Sequence, residues 1–156
     1  MSLHVMAVGT RMPKWVQLGT DEYTRRMPTG LDVQWQEIRA ETRSTSTSVA
    51  TCMEREAQRI RRVLPKQAWL VLLDENGKRK TTREFADRLA HWQSIGRPIC
   101  LVIGGPDGLS SGLKSEANES LRLSDLTLPH PLVRIVLAEQ LYRASTILDN
   151  HPYHRD

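Results

Sequence analysis

The feature that most constrains the fold is the alternation of short apolar segments with helix-forming segments along the 156 residues. The apolar segments predict strands at residues 3–8, 31–38, 68–73 and 99–103, with a short fifth strand at 121–123. Strands that alternate with helices predict an α/β domain with a mainly parallel sheet and helices on both faces. Because 39% of the residues are apolar, we expect one domain, residues 1–156, with its own core.

The predicted strands are of two kinds. Leu31, Val33 and Trp35 alternate with polar residues, which is typical of a half-exposed strand or an edge strand. Residues 69–73 and 99–103 are continuously apolar and are therefore predicted to lie in the centre of the sheet.

Helix starts are indicated by Pro13, which suits a first helical turn, and by Thr81 with Glu84, which form a capping box. The last helix, residues 132–148, is apolar over more of its circumference than one sheet face needs. This indicates a second partner, which we expect to be another copy of the chain.

Composition narrows the class of protein. The apolar runs are too short to cross a bilayer and none resembles a signal peptide, so a soluble cytoplasmic protein without membrane contact is expected. Cys52 and Cys100 form no close pair of the kind that binds zinc and are predicted to be buried or half-buried thiols. The net charge of +4 and the pI near 9.4 point weakly towards a phosphate-rich partner.

The first segment that is a candidate for ligand binding is Gly104-Gly105-Pro106-Asp107-Gly108, which follows a buried strand and precedes a helix. Ligands of open α/β sheets bind beyond the carboxyl ends of strands, and glycines let backbone amides approach them closely. The spacing matches neither a dinucleotide fingerprint nor a P-loop, so phosphate binding is disfavoured. Taken alone, the segment also fits a tight turn.

The second segment, residues 123–131, contains two prolines and is predicted to be a stiff loop that offers its backbone groups to a purine edge. It places His130 at a helix start, where the helix dipole would lower the imidazole pKa. A histidine that only caps or packs is an equal alternative.

The third segment is the chain end, which follows Glu139-Gln140-Leu141-Tyr142-Arg143-Ala144 and concentrates two histidines, a tyrosine and an arginine between residues 150 and 155. Such side chains stack on bases and contact phosphates. A zinc site made from His130, His151 and His154 is disfavoured, because no cysteine and no histidine pair one helical turn apart supports it.

Residues 41–51, rich in Ser and Thr around Arg43, are predicted to form a mobile loop.

These three segments, in this order, resemble the RlmH (YbeA) family of 23S ribosomal RNA pseudouridine N3-methyltransferases, within the SPOUT class. The resemblance spans nearly the whole chain, from Val8-Gly9-Thr10 to Tyr153-His154-Arg155. It implies an α/β-knot fold with a deep C-terminal trefoil knot, which general topology rules would treat as a rare exception. It also implies S-adenosylmethionine as cofactor, no metal, and a homodimer that acts on ribosomal RNA in the assembled 70S ribosome.

The resemblance assigns the site residues by position. The cofactor pocket is expected to comprise Leu73, Gly104, Gly105, Leu123, Ser124, Asp125, Leu126, Thr127 and Leu128. The catalytic candidates are His130, Arg143, Tyr153, His154 and Arg155. His130 or His154 is a candidate to accept the N3 proton, the arginines to stabilise negative charge, and Tyr153 to stack on the base. The tail, residues 149–156, is expected to become ordered only with RNA and to complete the site of the other subunit.

Two other functions compete with this one. One is a non-catalytic ribosome-binding or assembly factor with the same fold. The other is a flavodoxin-like or related nucleotide-binding enzyme with an unknotted sheet. Binding of S-adenosylmethionine, FMN and ATP would separate these possibilities.

Overall fold

Five parallel strands form the centre of the structure, a computed structural model that describes residues 1–155. The strands are β1 (Ser2–Val8), β2 (Asp32–Ile38), β3 (Trp69–Arg79), β4 (Ile99–Ile103) and β5 (Glu119–Arg122). They lie in the order β2-β1-β4-β3-β5, and every pairing is parallel. The prediction of a parallel sheet is confirmed, and β2, whose side chains alternate in polarity, is an edge strand as predicted.

Helices cover both faces of the sheet, as predicted. They are α1 (Lys14–Thr24), α2 (Val49–Val63), α3 (Thr82–Ile95), α4 (Ser111–Glu116) and α5 (His130–Leu148), followed by a 3-10 turn at Pro152–His154. Helices α1 and α3 contact α5 on one face, where α3 and α5 share a buried core with the sheet. Helices α2 and α4 build a second core on the opposite face.

The predicted helix starts are close to the observed ones. Thr81 caps α3, its hydroxyl accepting from the Glu84 N–H at 3.2 Å, while the Glu84 carboxylate accepts from the Thr81 N–H at 2.7 Å, so the capping box is confirmed. Pro13 is the N-cap of α1 and does not lie in its first turn. Helix α5 begins at His130, two residues earlier than predicted, because Pro131 fits the first turn.

Two strands differ from the prediction in extent. Strand β5 begins at Glu119 and ends before Leu123, while β3 continues past Leu73 to Arg79. The β3 extension is irregular, since Leu73 and Lys78 both align with Leu121 of β5. The carboxyl end of β3 therefore bulges away from the sheet before it pairs again.

Gly77 allows this second pairing. A Cβ atom there would lie 2.7–2.9 Å from the backbone of Leu121, whereas a Cβ at Gly30 would have nothing within 4 Å. We expect Gly77→Ala to lower the free energy of unfolding by about 1–3 kcal/mol, because β5 must move away. Gly30→Ala is the matched control, and urea denaturation of both variants measures the difference. Equal stabilities would show that the β3–β5 contact tolerates a methyl group.

Most of the circumference of helix α5 is buried against other parts of the same chain. Leu137, Ala138, Leu141 and Ala144 are fully buried, and Ile135 packs so closely on α1 that a Cβ at Gly19 would lie 2.7 Å from it. Apolar side chains that remain open flank this helix pair: Trp15 is 51% exposed, Leu18 59% and Leu132 40%. The apolar surface of α5, from which a partner was predicted, is thus largely covered by α1 and α3 of the same chain. The apolar side chains that stay exposed lie on α1 and at the start of α5.

Both cysteines are buried thiols, as predicted. Burial raises the pKa of the Cys100 thiol to about 11. None of the helices within residues 1–155 combines the length and apolar character that a bilayer crossing demands.

Candidate functional site

An open cleft lies at the carboxyl ends of β3 and β4. Its larger part, about 1300 Å³, is lined by residues 73–76 of β3, by the glycine loop (residues 104–108) and by the proline loop (residues 123–129) with the start of α5. A smaller part of about 430 Å³ extends under the proline loop and shares Leu73, Thr127, Leu128 and Val133 with the larger one. The parallel sheet brings these segments together because the carboxyl ends of its strands lie at one edge.

Nearly all of the predicted pocket residues line this cleft. Leu73, Gly104, Gly105, Thr127 and Leu128 line the larger part, and Leu123, Ser124 and Leu126 line the smaller one. Asp125 differs, since it is exposed and pairs with Arg79 at 2.6 Å and with Arg122 at 2.9 Å. Its part in cofactor binding stays a prediction.

The glycine loop is a tight turn whose conformation needs glycine. The Gly108 N–H donates to the Gly105 carbonyl at 3.1 Å, and Gly108 has a φ of +85°. A Cβ at Gly104 would lie 2.8 Å from the carbonyl carbon of Gly108 and 2.9 Å from Leu109. The loop is therefore both a turn and a cleft wall, so the two sequence interpretations are compatible.

An ion-paired cluster from the amino-terminal half holds the glycine loop. Arg43 donates to Glu56 at 2.8 Å and to Asp107 of the glycine loop at 2.9 Å. Glu56 is only 2% exposed and also accepts the Glu41 N–H at 2.9 Å. Helix α2 begins at Val49, so the last residues of the predicted mobile loop are helical. Sequence reasoning singled out Arg43 but missed Glu56, which resembles an ordinary polar position of a helix.

His130 lies in the cleft with both ring nitrogens engaged. Its Nδ1 lies 3.0 Å from the Gly104 carbonyl oxygen, and its Nε2 accepts from the Nε of Arg134 at 2.9 Å. Because a carbonyl only accepts, Nδ1 carries the proton and the ring is neutral. Burial and the Arg134 charge lower the pKa of His130, against the opposing effects of the Gly104 bond and Glu37. The predicted direction is confirmed, and burial is the main cause.

Arg134 is a site residue that sequence reasoning missed. It is 4% exposed and also donates to the Glu37 carboxylate and to the Gly9 carbonyl, both at 2.7 Å. It thus connects the ends of β1 and β2 to His130. The only sequence signal was its position four residues after His130, on the same side of the helix.

The tail is folded back on α5 up to Arg155, and Asp156 lies outside the described residues. The Tyr153 hydroxyl donates to Glu139 at 3.0 Å, and its ring lies 4.7 Å from both the Tyr142 ring and the Arg143 guanidinium. Arg143 also donates to Glu139 at 2.8 Å and to the His154 carbonyl at 3.1 Å. Burial and the Glu139 contact raise the pKa of Tyr153. We expected the tail to be ordered only when RNA is bound, whereas in the structure it packs against α5 of its own chain.

The tail cluster and the cleft lie at opposite ends of α5. His130 and Arg143 are more than three turns apart, which is about 20 Å at about 1.5 Å per residue. One chain therefore does not bring the catalytic candidates together. His130 is likewise too far from the tail histidines to share a metal ion with them, and residues 1–155 contain no cluster of three or more potential metal ligands.

The charges of the cleft favour a cationic or neutral ligand. Asp74, Glu75 and Asp107 line its larger part. Lys114 is ion-paired to Asp74 at 3.0 Å and Arg43 to Asp107 at 2.9 Å, so Glu75 is the lining carboxylate whose charge is not offset by a described ion pair. Carboxylates repel the phosphates of ATP or FMN but attract a positive charge. The remaining wall combines backbone groups and apolar side chains with the uncharged polar side chains of Asn76, Thr127 and His130, which suits an adenosine-like group.

Comparisons with known proteins agree with this geometry. Residues 1–154 match the family described as "Predicted SPOUT methyltransferase". A protein of Paraburkholderia phymatum called ribosomal RNA large subunit methyltransferase H is 51% identical over 155 residues, with 99% of both chains covered. A protein of the same name from Cupriavidus metallidurans is 51% identical over 158 residues, again with 99% of both covered.

One solved structure supports the fold. A probable methylase family protein from Haemophilus influenzae superposes with a TM-score of 0.57 at 11% identity, covering 99% of this chain and 70% of that one.

Proposed function

Because the chain belongs to the family of ribosomal RNA large subunit methyltransferase H, within the SPOUT methyltransferases, we propose that it transfers a methyl group from S-adenosylmethionine to N3 of a pseudouridine in 23S ribosomal RNA. The class of reaction, methylation of large-subunit ribosomal RNA, follows from family membership. The observation that carries the proposal is the glycine-walled, acidic cleft at the carboxyl ends of β3 and β4.

The cleft residues fit S-adenosylmethionine. The glycine loop and the proline loop offer backbone groups to an adenine edge, and Leu73, Leu128 and Val133 offer apolar contact. Glu75 supplies negative charge near a ligand that is positively charged at sulfur, whereas the charge of Asp74 is offset by Lys114. When bound, the cofactor supplies a methyl group on a sulfonium, which is an electrophile that needs no metal ion.

An imide nitrogen such as N3 becomes a good nucleophile only after losing its proton. His130 has no free lone pair in this arrangement, because Nδ1 donates to Gly104 and Nε2 accepts from Arg134. We therefore assign the proton either to His154 or directly to water. Arg143 and Arg155 stabilise the anionic base, and Tyr153 stacks on it after leaving Glu139.

A homodimer supplies what one chain lacks. Since the tail cluster lies about 20 Å from His130, the tail of a second subunit must reach the cleft of the first. The exposed apolar side chains of Trp15, Leu18 and Leu132 provide a surface for that contact.

We further propose that the chain is one knotted domain and acts in the cytoplasm. After β5, at the sheet edge, the chain runs along the carboxyl ends of β3 and β4 into α5, whose first residue contacts the glycine loop. This return path beside the glycine loop is compatible with a carboxyl-terminal knot. Assembled 70S ribosomes are the expected substrate, because a net charge of +4 alone gives little attraction to free RNA.

The test uses 70S ribosomes, 50S subunits and free 23S RNA from a strain that lacks this protein. Incubation with the purified protein and S-adenosylmethionine is expected to produce N3-methylpseudouridine, fastest on 70S ribosomes, as mapped by mass spectrometry of RNA fragments. A methyl group on another atom would contradict the proposed target. Equal rates on free RNA would contradict the ribosomal context, and no transfer would favour a non-catalytic binding factor.

A further inference from the structure

A chain of hydrogen bonds runs from the edge of the sheet to the wall of the cleft. Glu37, at the end of β2, accepts from Arg134 at 2.7 Å, and Arg134 donates to His130 at 2.9 Å. His130 in turn lies 3.0 Å from the Gly104 carbonyl oxygen. Arg134 does not itself line the cleft but bonds to His130, which does, and it is held in place by the Gly9 carbonyl of the β1 end at 2.7 Å.

We propose that Arg134 is a positioning residue for cofactor binding, which holds His130 as the neutral Nδ1–H form and thereby fixes the Gly104 carbonyl and the glycine loop. The identity of the ligand rests on the proposed function. The inference itself concerns how the cleft wall is kept in shape, and it predicts that cofactor affinity depends on pH.

The glycine loop needs such support because glycine has few conformational restraints of its own. Three of its five residues are glycines, and the peptide between Gly104 and Gly105 could rotate at small steric cost. In a trans peptide the carbonyl and the following N–H point in opposite directions. A Gly104 carbonyl that faces His130 therefore also fixes the direction of the Gly105 N–H.

The arrangement is incompatible with a protonated imidazole. A second N–H on His130 would face the N–H of Arg134, so that two donors and two positive charges would oppose one another. Of the charged groups around the ring, Arg134 on α5 disfavours the proton, and Glu37 on β2 favours it but is bonded to Arg134. Gly104 and Gly9 contribute uncharged carbonyls.

The direction in which pH changes the cofactor affinity follows from the lowered pKa of His130. The folded pKa of His130 lies below the ordinary value of about 6.5, so the ring is neutral at pH 7. As the pH falls through the folded pKa, protonation breaks the Arg134 bond and releases the loop. Both cofactor affinity and the stabilisation from the neutral ring are present above about pH 6.5 and are lost on acidification.

Calorimetric titration with S-adenosylmethionine between pH 5 and 8 tests the inference. We expect the affinity of the unaltered protein to fall as the pH is lowered from 7.5 through the folded pKa of His130, by up to about tenfold, the equivalent of one hydrogen bond. Arg134→Met should bind about tenfold more weakly at pH 7.5. His130→Asn keeps an N–H towards Gly104 and does not titrate, so it should bind better than His130→Leu and show a flat pH profile.

A second measurement does not depend on the cofactor. Nitrogen NMR of the imidazole in the free protein should show a proton on Nδ1 of His130 at pH 7.5 and a raised pKa in Arg134→Met. Arg25→Met, at the exposed C-cap of α1, is the matched control and should change neither readout. Urea denaturation of each variant identifies any that fails to fold.

The outcomes separate the two proposals. If the unaltered protein binds S-adenosylmethionine and the His130 and Arg134 variants follow its pH profile, the inference is overturned and the proposed function stands. A proton on Nε2 instead of Nδ1 also overturns it. No binding to the unaltered protein at pH 7.5 would overturn the proposed function, and this inference with it.

Discussion

Removal of residues 150–156 is expected to abolish methyl transfer while largely preserving affinity for S-adenosylmethionine. Arg143, which contacts Tyr153, lies about 20 Å from His130 along α5, and none of the described tail residues, up to Arg155, lines the cleft. Loss of the groups that hold the base should lower the rate at least ~10²-fold, because transfer needs close alignment of donor and acceptor. A methyl-transfer assay and calorimetry with the cofactor measure the two effects separately.

Single substitutions refine this result. Tyr153→Phe keeps the ring and removes only the hydroxyl that donates to Glu139, so it should retain most activity if stacking is the role of this residue. Tyr153→Ala should lose most of it. If the deletion weakened cofactor binding and transfer equally, the tail would belong to the cofactor site, and the division of roles between tail and cleft would be wrong.

A mixture of two inactive variants is expected to recover activity. Gly104→Val should close the cleft, because even a Cβ there would lie 2.8 Å from Gly108. The chain lacking residues 150–156 keeps a normal cleft but has no tail. In a mixed dimer, the intact cleft of one subunit meets the intact tail of the other, so one of its two sites works. Because roughly half of the dimers in an equal mixture are mixed, the mixture should reach roughly one quarter of normal activity.

The mixture must be refolded or coexpressed so that subunits exchange, and gel filtration should confirm dimers. Gly30→Val, at a position with nothing within 4 Å of its Cβ, is the control for a valine at a glycine site. No recovery in verified mixed dimers would show that each chain completes its own site, which would require the tail to cross the length of α5.

Sequence patterns predicted the sheet well where burial is strongest. The continuously apolar residues 99–103 form β4 with the predicted bounds, because a strand covered on both faces has no polar positions to blur its ends. The extension of β3 was missed, since Asp74, Glu75 and Asn76 resemble a turn. Its existence depends on pairing with β5, a contact between residues more than 40 positions apart.

The segments that line the candidate cleft were predicted to a similar extent, while the roles of their residues stay predictions. The glycine and proline loops could be placed because strand ends collect ligands and the family resemblance agreed. Arg134 and Glu56 could not be found, because a buried charge within a helix looks like an ordinary solvent-facing position until its distant partners are known. The separation of His130 from Tyr153 also emerged only with the observed course of α5 and the tail.

The bracing of the glycine loop has a consequence for the engineering and evolution of this domain. Asp107 is held by Arg43 from the amino-terminal half, while the Gly104 carbonyl faces His130, whose partner Arg134 bonds to Gly9 and Glu37. The ligand-facing backbone of the carboxyl-terminal half thus takes its shape in part from groups that lie 64 to 125 residues earlier in the sequence than their bonding partners. Transplanting residues 99–156 onto a foreign sheet would carry over the loops without their bracing, so the two halves must be exchanged or varied together.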